Sequence, residues 1–277
     1  MRKVSMTRYM MNPVKDKFSA IVLAGDRSPD DPLITAGGVN CKALLPIAGR
    51  PMILSVLDAL ENSTLIGNCI VTGSSAALLG QSKELDSLFE TGKIRFIENE
   101  STPSLSAQKA LQHLSADQPV LLTTADHALL TPEIIDYFCA AAIDTGCDAV
   151  AALAHAEEVG KAFPGSRRTV TRLRDGGYCG CNLFAFLTTK GRDAAKFWRK
   201  VEEHRKRPLK IARILGIFTM LRYLTGHLSL DDALARLSRL IGARAGAIWM
   251  PYPEASVDVD KIDDWKLVEN FIAANRL

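Results

Sequence analysis

Two short stretches near the start of the chain carry residues that could hold phosphate groups. The stretch "IVLAGD" covers Ile21 to Asp26, and "KALLPIAGRPM" begins at Lys42. Gly25 lacks a side chain, so backbone N–H groups beside it can approach phosphate oxygens, and Lys42 can supply a mobile positive charge. Neither a P-loop nor a dinucleotide-binding glycine pattern is present. A turn glycine and a surface lysine therefore explain this spacing as well as a nucleotide site does.

A third stretch, "LLTTADHALLTPE", places an aspartate directly after an apolar strand. Asp126 stands before a helix for which Thr131 is the expected N-cap and Pro132 the first residue. A carboxylate at the end of a strand suits Mg²⁺, which prefers hard oxygen ligands and retains several waters. The alternative is an aspartate that accepts hydrogen bonds from loop amides. The neighbouring His127 is more typical of a hydrogen-bonded turn residue than of a metal ligand.

A fourth stretch, "SVDVDKIDDW", brings two carboxylates close together near the end of the chain. Asp258 and Asp260 are two residues apart, so in an extended segment they point to the same side, and either could contribute to a metal site. Asp260 or Asp263 could instead cap the last helix, which would contribute ~1 kcal/mol. A helix start and a metal site both collect oxygen atoms, so the two roles can coexist.

The elements that position these residues alternate between strand and helix. Apolar runs such as "FSAIVLA", "NCIVTG", "KIRFIE" and "PVLLTTA" are mostly followed by segments of helical period. This alternation predicts a mostly parallel sheet with helices on both faces, which is a three-layer α/β sandwich, and such sheets bind ligands beyond the carboxyl ends of their strands. Further on, "DAVAALA", "RTVTRLR" and "CNLFAFL" read as strands with little helix between them, so the sheet is expected to become mixed.

The last third of the chain contains a long helical stretch before the final strand and helix. Helical periodicity runs from about residue 191 to 240, with Ser229 as the expected N-cap of its last helix, and "GAIWMPY" and "DDWKLVENFIAANRL" then give a strand and a helix. We therefore expect an N-terminal extension over residues 1–17. One domain over residues 18–277 follows, and it carries a helical insertion at about 191–240.

Composition and charge narrow the class of protein. The 277 residues are 47% hydrophobic and 23% charged, which is typical of a soluble globular protein. A net charge of +3 from 34 basic and 31 acidic residues argues against a dedicated nucleic-acid binder. The six cysteines show no C-x-x-C spacing, the first residues lack the apolar core of a secretory signal, and no apolar run reaches the ~18 residues of a membrane span. These observations predict a cytoplasmic protein with reduced thiols.

Taken in order, the four stretches resemble the motifs of nucleotidyltransferases of the molybdenum-cofactor and sugar-nucleotide type, the MobA-like NTP transferases, which have a glycosyltransferase-A-like fold. The resemblance covers about residues 18–153 and 258–272. It implies that Lys42 and the glycine loop, with Leu23, Ala24, Gly25 and Arg27, bind an NTP. It also implies that Asp126 and Asp260 bind Mg²⁺, with Asp258 as the less favoured late ligand.

The chain departs from the family pattern in its glycine loop. The loop reads "LAGDRSPDDPLITAGGVNCK", so that Asp26 stands where the family commonly has a second glycine, Arg27 is a candidate for the usual arginine, and Gly37 and Gly38 restore glycine content further on. The resemblance also brings in two groups of lower rank. Ser104 and Ser106 are candidates for base or ribose contacts, or else helix-capping serines, and the acceptor candidates are Asn182, Arg167, Arg168 and Arg172, of which the arginines could equally be solvated strand residues.

The activity that the resemblance implies is Mg²⁺-dependent transfer of NMP from an NTP to a small-molecule acceptor, expected to be phosphorylated, with release of pyrophosphate. Lys42 and Asp126 are the expected catalytic residues. One alternative is a glycosyltransferase of the same fold, although such enzymes usually carry Asp-x-Asp where this chain has "ADHA". The other alternative is a noncatalytic nucleotide-binding protein.

The helical insertion contains a basic and apolar stretch, "RKRPLKIARILGIFTMLRYLTG". Its basic residues Lys206, Arg207, Lys210 and Arg213 lie beside the apolar residues Ile214, Leu215, Ile217, Phe218, Leu221 and Leu224. Such a segment could rest on an anionic membrane surface. The favoured interpretation is that the apolar face packs on the catalytic domain or on a second subunit in a homodimer.

Overall fold

The central strand of the protein is β1 (Phe18–Leu23), which is buried on both faces of an eight-stranded sheet. The structure, a computed structural model, describes residues 17–26, 31–204 and 208–275. Arg27, Lys206, Arg207 and almost all of the expected N-terminal extension therefore lie outside the described residues. The other strands of this sheet are β4 (Ile66–Gly73), β5 (Ile94–Glu98), β6 (Val120–Thr124), β7 (Ala149–His155), β8 (Thr171–Leu173), β9 (Gly176–Phe186) and β10 (Ala245–Trp249).

The sheet is mixed, with one long strand running against the others. Its order is β10-β7-β9-β6-β1-β4-β5, and β8 pairs with β9. The β1, β4, β5 and β6 strands are mutually parallel, as are β7 and β10, whereas β9 is antiparallel to β6, β7 and β8. The mostly parallel mixed sheet expected from the sequence is confirmed. The carboxyl ends of β1, β4, β5 and β6 consequently meet at one edge.

Helices cover both faces of the sheet. They are α1 (Pro32–Gly37), α2 (Met52–Asn62), α3 (Ser75–Leu78), α4 (Lys83–Glu90), α5 (Pro103–Leu111), α6 (Pro132–Asp144), α7 (Ala156–Ala162), α8 (Asp193–His204), α9 (Pro208–Leu215), α10 (Ile217–Leu224), α11 (Leu230–Ile241) and α12 (Ile262–Asn275). Alternate residues of β1 serve two cores: Ala20 and Val22 pack with one layer of helices, and Ile21 and Leu23 with the other.

The helix starts follow the capping residues expected from the sequence. The Thr131 side chain accepts the Ile134 N–H at the start of α6, and the Ser229 side chain accepts the Asp232 N–H at the start of α11. At α5 the cap is Thr102, which accepts the Leu105 N–H. The two serines of that helix are therefore not its capping residues, since the neighbouring threonine fills that role.

The stretch "KALLPIAGRPM" folds into a 3₁₀ turn at Lys42–Leu44 and a small hairpin, β2 (Pro46–Ile47) with β3 (Arg50–Pro51), before α2 begins. Ala48 and Gly49 form its two-residue loop with φ of 51° and 80°, as a tight hairpin turn requires. The Ala48 N–H donates to Glu269 Oε1 at 2.6 Å, which ties the hairpin to α12. Arg50 pairs with Asp58 and Glu84, so it braces α2 against α4, away from the strand ends.

Helices α8 to α11 form a segment that leaves and rejoins the sheet at one residue, Asp148. Thr188 Oγ1 donates to Asp148 Oδ1 at 2.8 Å before α8, and the Arg244 N–H donates to Oδ2 at 2.7 Å after α11. In the described part of the segment expected to be helical from about 191 to 240, the structure has the helices α8, α9, α10 and α11. The division of the chain into an extension and one domain stays a prediction.

The apolar face of α10 does not pack on the part of the chain that the structure describes. Gly216, with φ of 98°, separates α9 from α10, so the stretch expected as one helical run is broken. Beyond this break the side chains of Ile217, Phe218 and Leu224 are 72%, 84% and 73% exposed. Packing of this face on the catalytic domain is therefore not found among the described residues, and packing on a second subunit stays a prediction. Across the described ranges, none of the helices is both long enough and apolar enough to cross a bilayer.

Candidate active site

A cleft of about 780 Å³ opens at the edge where the parallel strands end. The turn after β1 supplies Ala24 and Gly25, the turn after β5 supplies Asn99, and the turn after β6 supplies Asp126. These residues meet because the parallel strands of the sheet have their carboxyl ends at the same edge. The cleft is therefore built by the topology, before any single contact is considered.

Lys42 lies at the centre of this cleft, held at both its backbone and its side chain. Its N–H donates to Asp26 Oδ1 at 3.1 Å. Its Nζ lies 2.5 Å from Asp126 Oδ2 and 2.9 Å from Asp260 Oδ1. Burial opposes the charged form of the amine, but attraction to the two carboxylates outweighs it and raises the pKa of Lys42 above its usual range. Lys42 is thus a fixed cation that bridges two acids.

Asp126 is anchored by the backbone on both sides. The Ala125 N–H donates to the Leu23 carbonyl at 2.9 Å, and the Val259 N–H donates to the Asp126 carbonyl at 3.0 Å. Burial would raise the pKa of the Asp126 carboxyl, yet the Lys42 ammonium lowers it overall, so the group is charged at neutral pH. Its second oxygen, Oδ1, is buried and has no hydrogen-bond partner among the described residues.

The late acidic pair lies on an extended segment that follows a 3₁₀ turn. Val257 and Val259 are fully buried, so Asp258 and Asp260 alternate to the other side and both line the cleft. Asp260 reaches Lys42, whereas Asp258 receives hydrogen bonds from Arg168 and from Asn182 Nδ2 at 3.0 Å. Burial and the nearby carboxylates raise the pKa of Asp258 to about 6.

Two residues beside this pair, Asp264 and His127, do not line the cleft. The Asp264 carboxylate accepts the Asp260 N–H at 3.2 Å and also pairs with Arg168 at 2.9 Å. Asp264 is therefore the acid that holds the start of α12, where the sequence suggested Asp260 or Asp263. His127 is fully buried away from the cleft, and burial lowers its pKa to about 4, so its ring is neutral at pH 7. Its backbone has the turn role expected from the sequence, since the His127 N–H donates to the Thr124 carbonyl at 3.4 Å and the His127 carbonyl accepts the Leu130 N–H at 3.0 Å.

The wall of the cleft beyond Gly25 is formed by the turn after β5. A Cβ atom placed on Gly25 would lie 3.0 Å from Asn99 Nδ2, so a residue with a side chain would crowd Asn99 at this wall. Ser106 lines the cleft, and its Oγ accepts the Glu100 N–H at 2.9 Å. Ser104 is fully buried behind the wall, where its hydroxyl donates to Glu202. Of the two serines, only Ser106 faces the space that a ligand can occupy.

Of the candidates for acceptor binding, some line the cleft and others do not. Asn182 lines the cleft with φ of 48°, within a β-bulge where β9 carries extra residues opposite β7. Arg168 is buried, with 8% of its side chain exposed, and is occupied by Asp258 and Asp264. Arg172 lies on β8, outside the cleft. The bulge explains why a short polar side chain of an internal strand points toward the ligand space.

Helix α8 contributes cleft residues that the sequence motifs did not indicate. Trp198, Glu202 and Glu203 form part of the wall. They belong to an amphipathic helix more than 70 residues beyond Asp126 in the chain. The only sequence signal for them is the helical period itself, which does not say where the helix returns to the sheet.

The family model of the MobA-like NTP transferase domain matches residues 20–239 of this chain. The chain belongs to the MobA-like NTP transferase family. It is accordingly a nucleotidyltransferase, and the family resemblance of the four sequence stretches is confirmed. The matched range includes Lys42 and Asp126, while the late acidic pair follows it.

Solved structures give the same fold. A hypothetical transferase from Thermus thermophilus is 33% identical, with a TM-score of 0.73 over 90% of this chain and 99% of that one. The 4-diphosphocytidyl-2C-methyl-D-erythritol synthase from Anaerococcus prevotii DSM 20548 is 15% identical, with a TM-score of 0.56 over 94% of this chain and 97% of that one. A CMP:2-keto-3-deoxy-manno-octonic acid synthetase complexed with CTP is 12% identical, with a TM-score of 0.55 over 94% and 99% of the two chains. No curated protein matches the chain.

As a MobA-like NTP transferase, the protein has a donor set that fits a hard divalent cation. Two carboxylates, Asp126 and Asp260, lie within reach of one ammonium group, and Asp126 Oδ1 is buried and without a partner among the described residues. The described ranges hold no group of three or more His, Cys, Asp or Glu residues arranged around a metal. Two protein oxygens completed by phosphate and water are the usual coordination of Mg²⁺.

Proposed function

We propose that this MobA-like NTP transferase moves NMP from an NTP to a small phosphorylated acceptor with Mg²⁺ present. An acceptor phosphate oxygen attacks the α-phosphorus, the bond from that phosphorus to the oxygen bridging the β-phosphate breaks, and pyrophosphate leaves. The observation that carries the proposal is the cluster of Lys42, Asp126 and Asp260 at the strand ends of a cleft large enough for a nucleotide. Such a transfer depends on positioning and charge stabilisation more than on covalent help.

Lys42 is the proposed partner of the triphosphate. Its ammonium stays charged throughout the neutral range because two carboxylates hold it. When the phosphates enter, this cation can donate to their oxygens and offset the negative charge that grows as pyrophosphate leaves. No histidine lines the described cleft, and an anionic acceptor phosphate needs no general base.

Asp126 and Asp260 are the residues proposed to hold Mg²⁺. The bound cation would stabilise negative charge on the phosphate oxygens and on the departing pyrophosphate. Asp258 is less suited because its carboxylate already accepts from Arg168 and Asn182. We assign Arg168 to positioning Asp258 and, through Asp264, the start of α12.

The two ends of the cleft are proposed to bind different substrates. Leu23, Ala24, Gly25 and Ser106 line the nucleotide end, with Arg27 in the same loop but outside the described residues. Asn182 lines the acceptor end. The six cysteines are free, which agrees with the proposed cytoplasmic setting.

Pyrophosphate release tests the proposal directly. The purified protein is incubated with each of four NTPs, Mg²⁺ and a panel of sugar phosphates and polyol phosphates. We expect pyrophosphate with one preferred pair, and a loss on the order of 100-fold or more in Asp126→Asn. Asp144→Asn, an exposed aspartate at the end of α6, is the matched control and should retain full activity.

Other outcomes would overturn the assignment. Full activity of a folded Asp126→Asn protein removes the metal role. Release of NDP from a nucleotide-sugar, without pyrophosphate from any NTP, would instead identify a glycosyltransferase. Nucleotide binding without turnover across the panel would point to a noncatalytic role.

A further inference from the structure

A second cavity lies between α8, α11 and the sheet, and we call it the α8–α11 groove. Its volume is about 320 Å³ and its walls are apolar. Small side chains on the sheet, among them Ala149 and Ala151, form its floor, and Val201, Leu234 and Leu237 form its sides. Protein interiors normally close such gaps with larger side chains, so a groove left open by alanines has room for a ligand.

The groove lies directly beside the active-site cleft and shares part of its wall. Leu122, Phe184 and Trp198 line both spaces. Phe184 stands two residues beyond Asn182 on β9, so the junction lies beside the proposed acceptor end of the cleft. Phe184 is 39% exposed, which is unusual for a phenylalanine on an internal strand and means that its ring is accessible at this boundary.

The chemistry of the walls limits the occupant. A polar ligand would lose its hydration in the groove without gaining hydrogen bonds, whereas an apolar chain gains from each group buried. A nucleotide base has polar edges that these walls cannot pair. At about 30 Å³ for each water-sized unit, the volume takes roughly ten methylene-sized groups.

We infer that the acceptor is amphiphilic: its phosphate lies in the cleft and its apolar chain occupies the α8–α11 groove. The inference rests on the proposed nucleotidyl transfer for the position of the phosphate. The apolar site itself rests only on the groove and its junction with the cleft.

Calorimetric binding of alkyl phosphates tests the site without any turnover. Methyl, butyl, hexyl and decyl phosphate are titrated below their micelle concentrations into the full chain. We expect affinity to rise by up to about fourfold per added methylene across this series, because the groove has room for the whole decyl chain. Ala151→Leu should lower the affinity for decyl phosphate at least tenfold and leave the affinity for methyl phosphate unchanged. Ala235→Leu, on the exposed side of α11, should bind both ligands as the wild type does.

A second filling variant, Ala194→Leu on α8, covers the case in which Ala151→Leu fails to fold. Affinity that is independent of chain length, or equal losses in the filling and control variants, overturns the inference. Chain-length-dependent binding without pyrophosphate release from any NTP would leave the apolar site intact and refute the proposed function. Pyrophosphate release with short polar phosphates, and no preference for long chains, would support the proposed function and refute the apolar site.

Discussion

At the scale of single residues, the cleft is organised by one cation between two acids. Without Lys42, the carboxylates of Asp126 and Asp260 would repel each other, and burial makes an unpaired charge costly. The ammonium therefore holds the pair together in the absence of substrate. A divalent cation held by Asp126 and Asp260 would therefore have to displace this ammonium, and the phosphates of an NTP would offer Lys42 another partner.

The Lys42→Ala variant tests this arrangement. We expect kcat/KM for the NTP to fall on the order of 100-fold, with a lower kcat and a higher KM, because the charge is needed when pyrophosphate leaves. Steady-state pyrophosphate release measures both constants. The control is Lys93→Ala, an exposed lysine paired with Glu61 away from the cleft, which should behave as the wild type. Unchanged kinetics in a folded Lys42→Ala protein would make Lys42 a structural counter-ion only.

The sequence indicated the residue types of the site better than their partners. Lys42, Asp126 and Asp260 are all candidates from the sequence, and the structure places Lys42 Nζ within 3 Å of both carboxylates. Arg168 was read as an acceptor ligand because its charge was visible and its partner was not. That partner, Asp258, is 90 residues away along the chain, and only the fold brings the two together.

At the scale of elements, strand β4 is positioned by an acid on α6. The Asp136 carboxylate accepts from the Thr64 N–H at 3.1 Å, from Thr64 Oγ1 at 2.7 Å, and also from the Ser63 hydroxyl. Burial would raise the pKa of Asp136, but these hydrogen bonds outweigh it and lower the pKa below its usual range. The contact fixes the turn from α2 into β4, a strand that leads to the cleft.

Replacing Asp136 with asparagine should cost about 1–2 kcal/mol of unfolding free energy at pH 7, since the carboxylate is only partly buried. A lowered folded-state pKa gives stability that is present above the unfolded pKa near 3.8 and is lost as pH falls through the folded value. Urea unfolding at pH 7 and pH 3 measures this. The gap between wild type and Asp136→Asn should shrink at pH 3, and a gap equal at both values would show that the charge does not contribute.

Local patterns predicted the elements of the first half well. The helix caps Thr131 and Ser229 followed from short-range chemistry that the sequence displays directly. The break at Gly216 was not predicted, because an isolated glycine within a helical period is often tolerated. The antiparallel course of β9 and the return of α8 to the cleft also required the tertiary fold, since periodicity carries no information on direction.

At the scale of the whole molecule, α10 presents an apolar face to solvent beside a basic segment. Between Glu203 and Asp231 the sequence contains no acidic residue and six lysines and arginines. Two copies of so basic a segment would repel each other, whereas an anionic membrane attracts it. On this ground we propose that the face contacts an anionic membrane, and a homodimer through the same face stays the alternative prediction.

Sedimentation with phosphatidylserine-containing vesicles tests this contact. We expect binding at low salt that weakens at physiological salt, because each basic residue near the surface contributes ~1 kcal/mol that salt screens. Changing Lys206, Arg207, Lys210 and Arg213 to glutamine should abolish it. The matched control changes four exposed lysines elsewhere, Lys83, Lys93, Lys161 and Lys266, and should still bind.

A protein that stays in the supernatant at both salts would contradict membrane contact. If its sedimentation coefficient also rises with concentration, and Phe218→Ser prevents the rise, a second copy of the chain covers the α10 face instead.

The meeting of both ends of the helical segment at Asp148 makes that segment a replaceable module. The chain departs at Thr188 and returns at Arg244, each bonded to one aspartate, so strand order does not depend on what lies between. Lys42 and Asp126, to which we assign the nucleotide chemistry, lie outside this segment. We therefore expect relatives to vary these helices, and with them one wall of the cleft, more readily than Lys42 and Asp126.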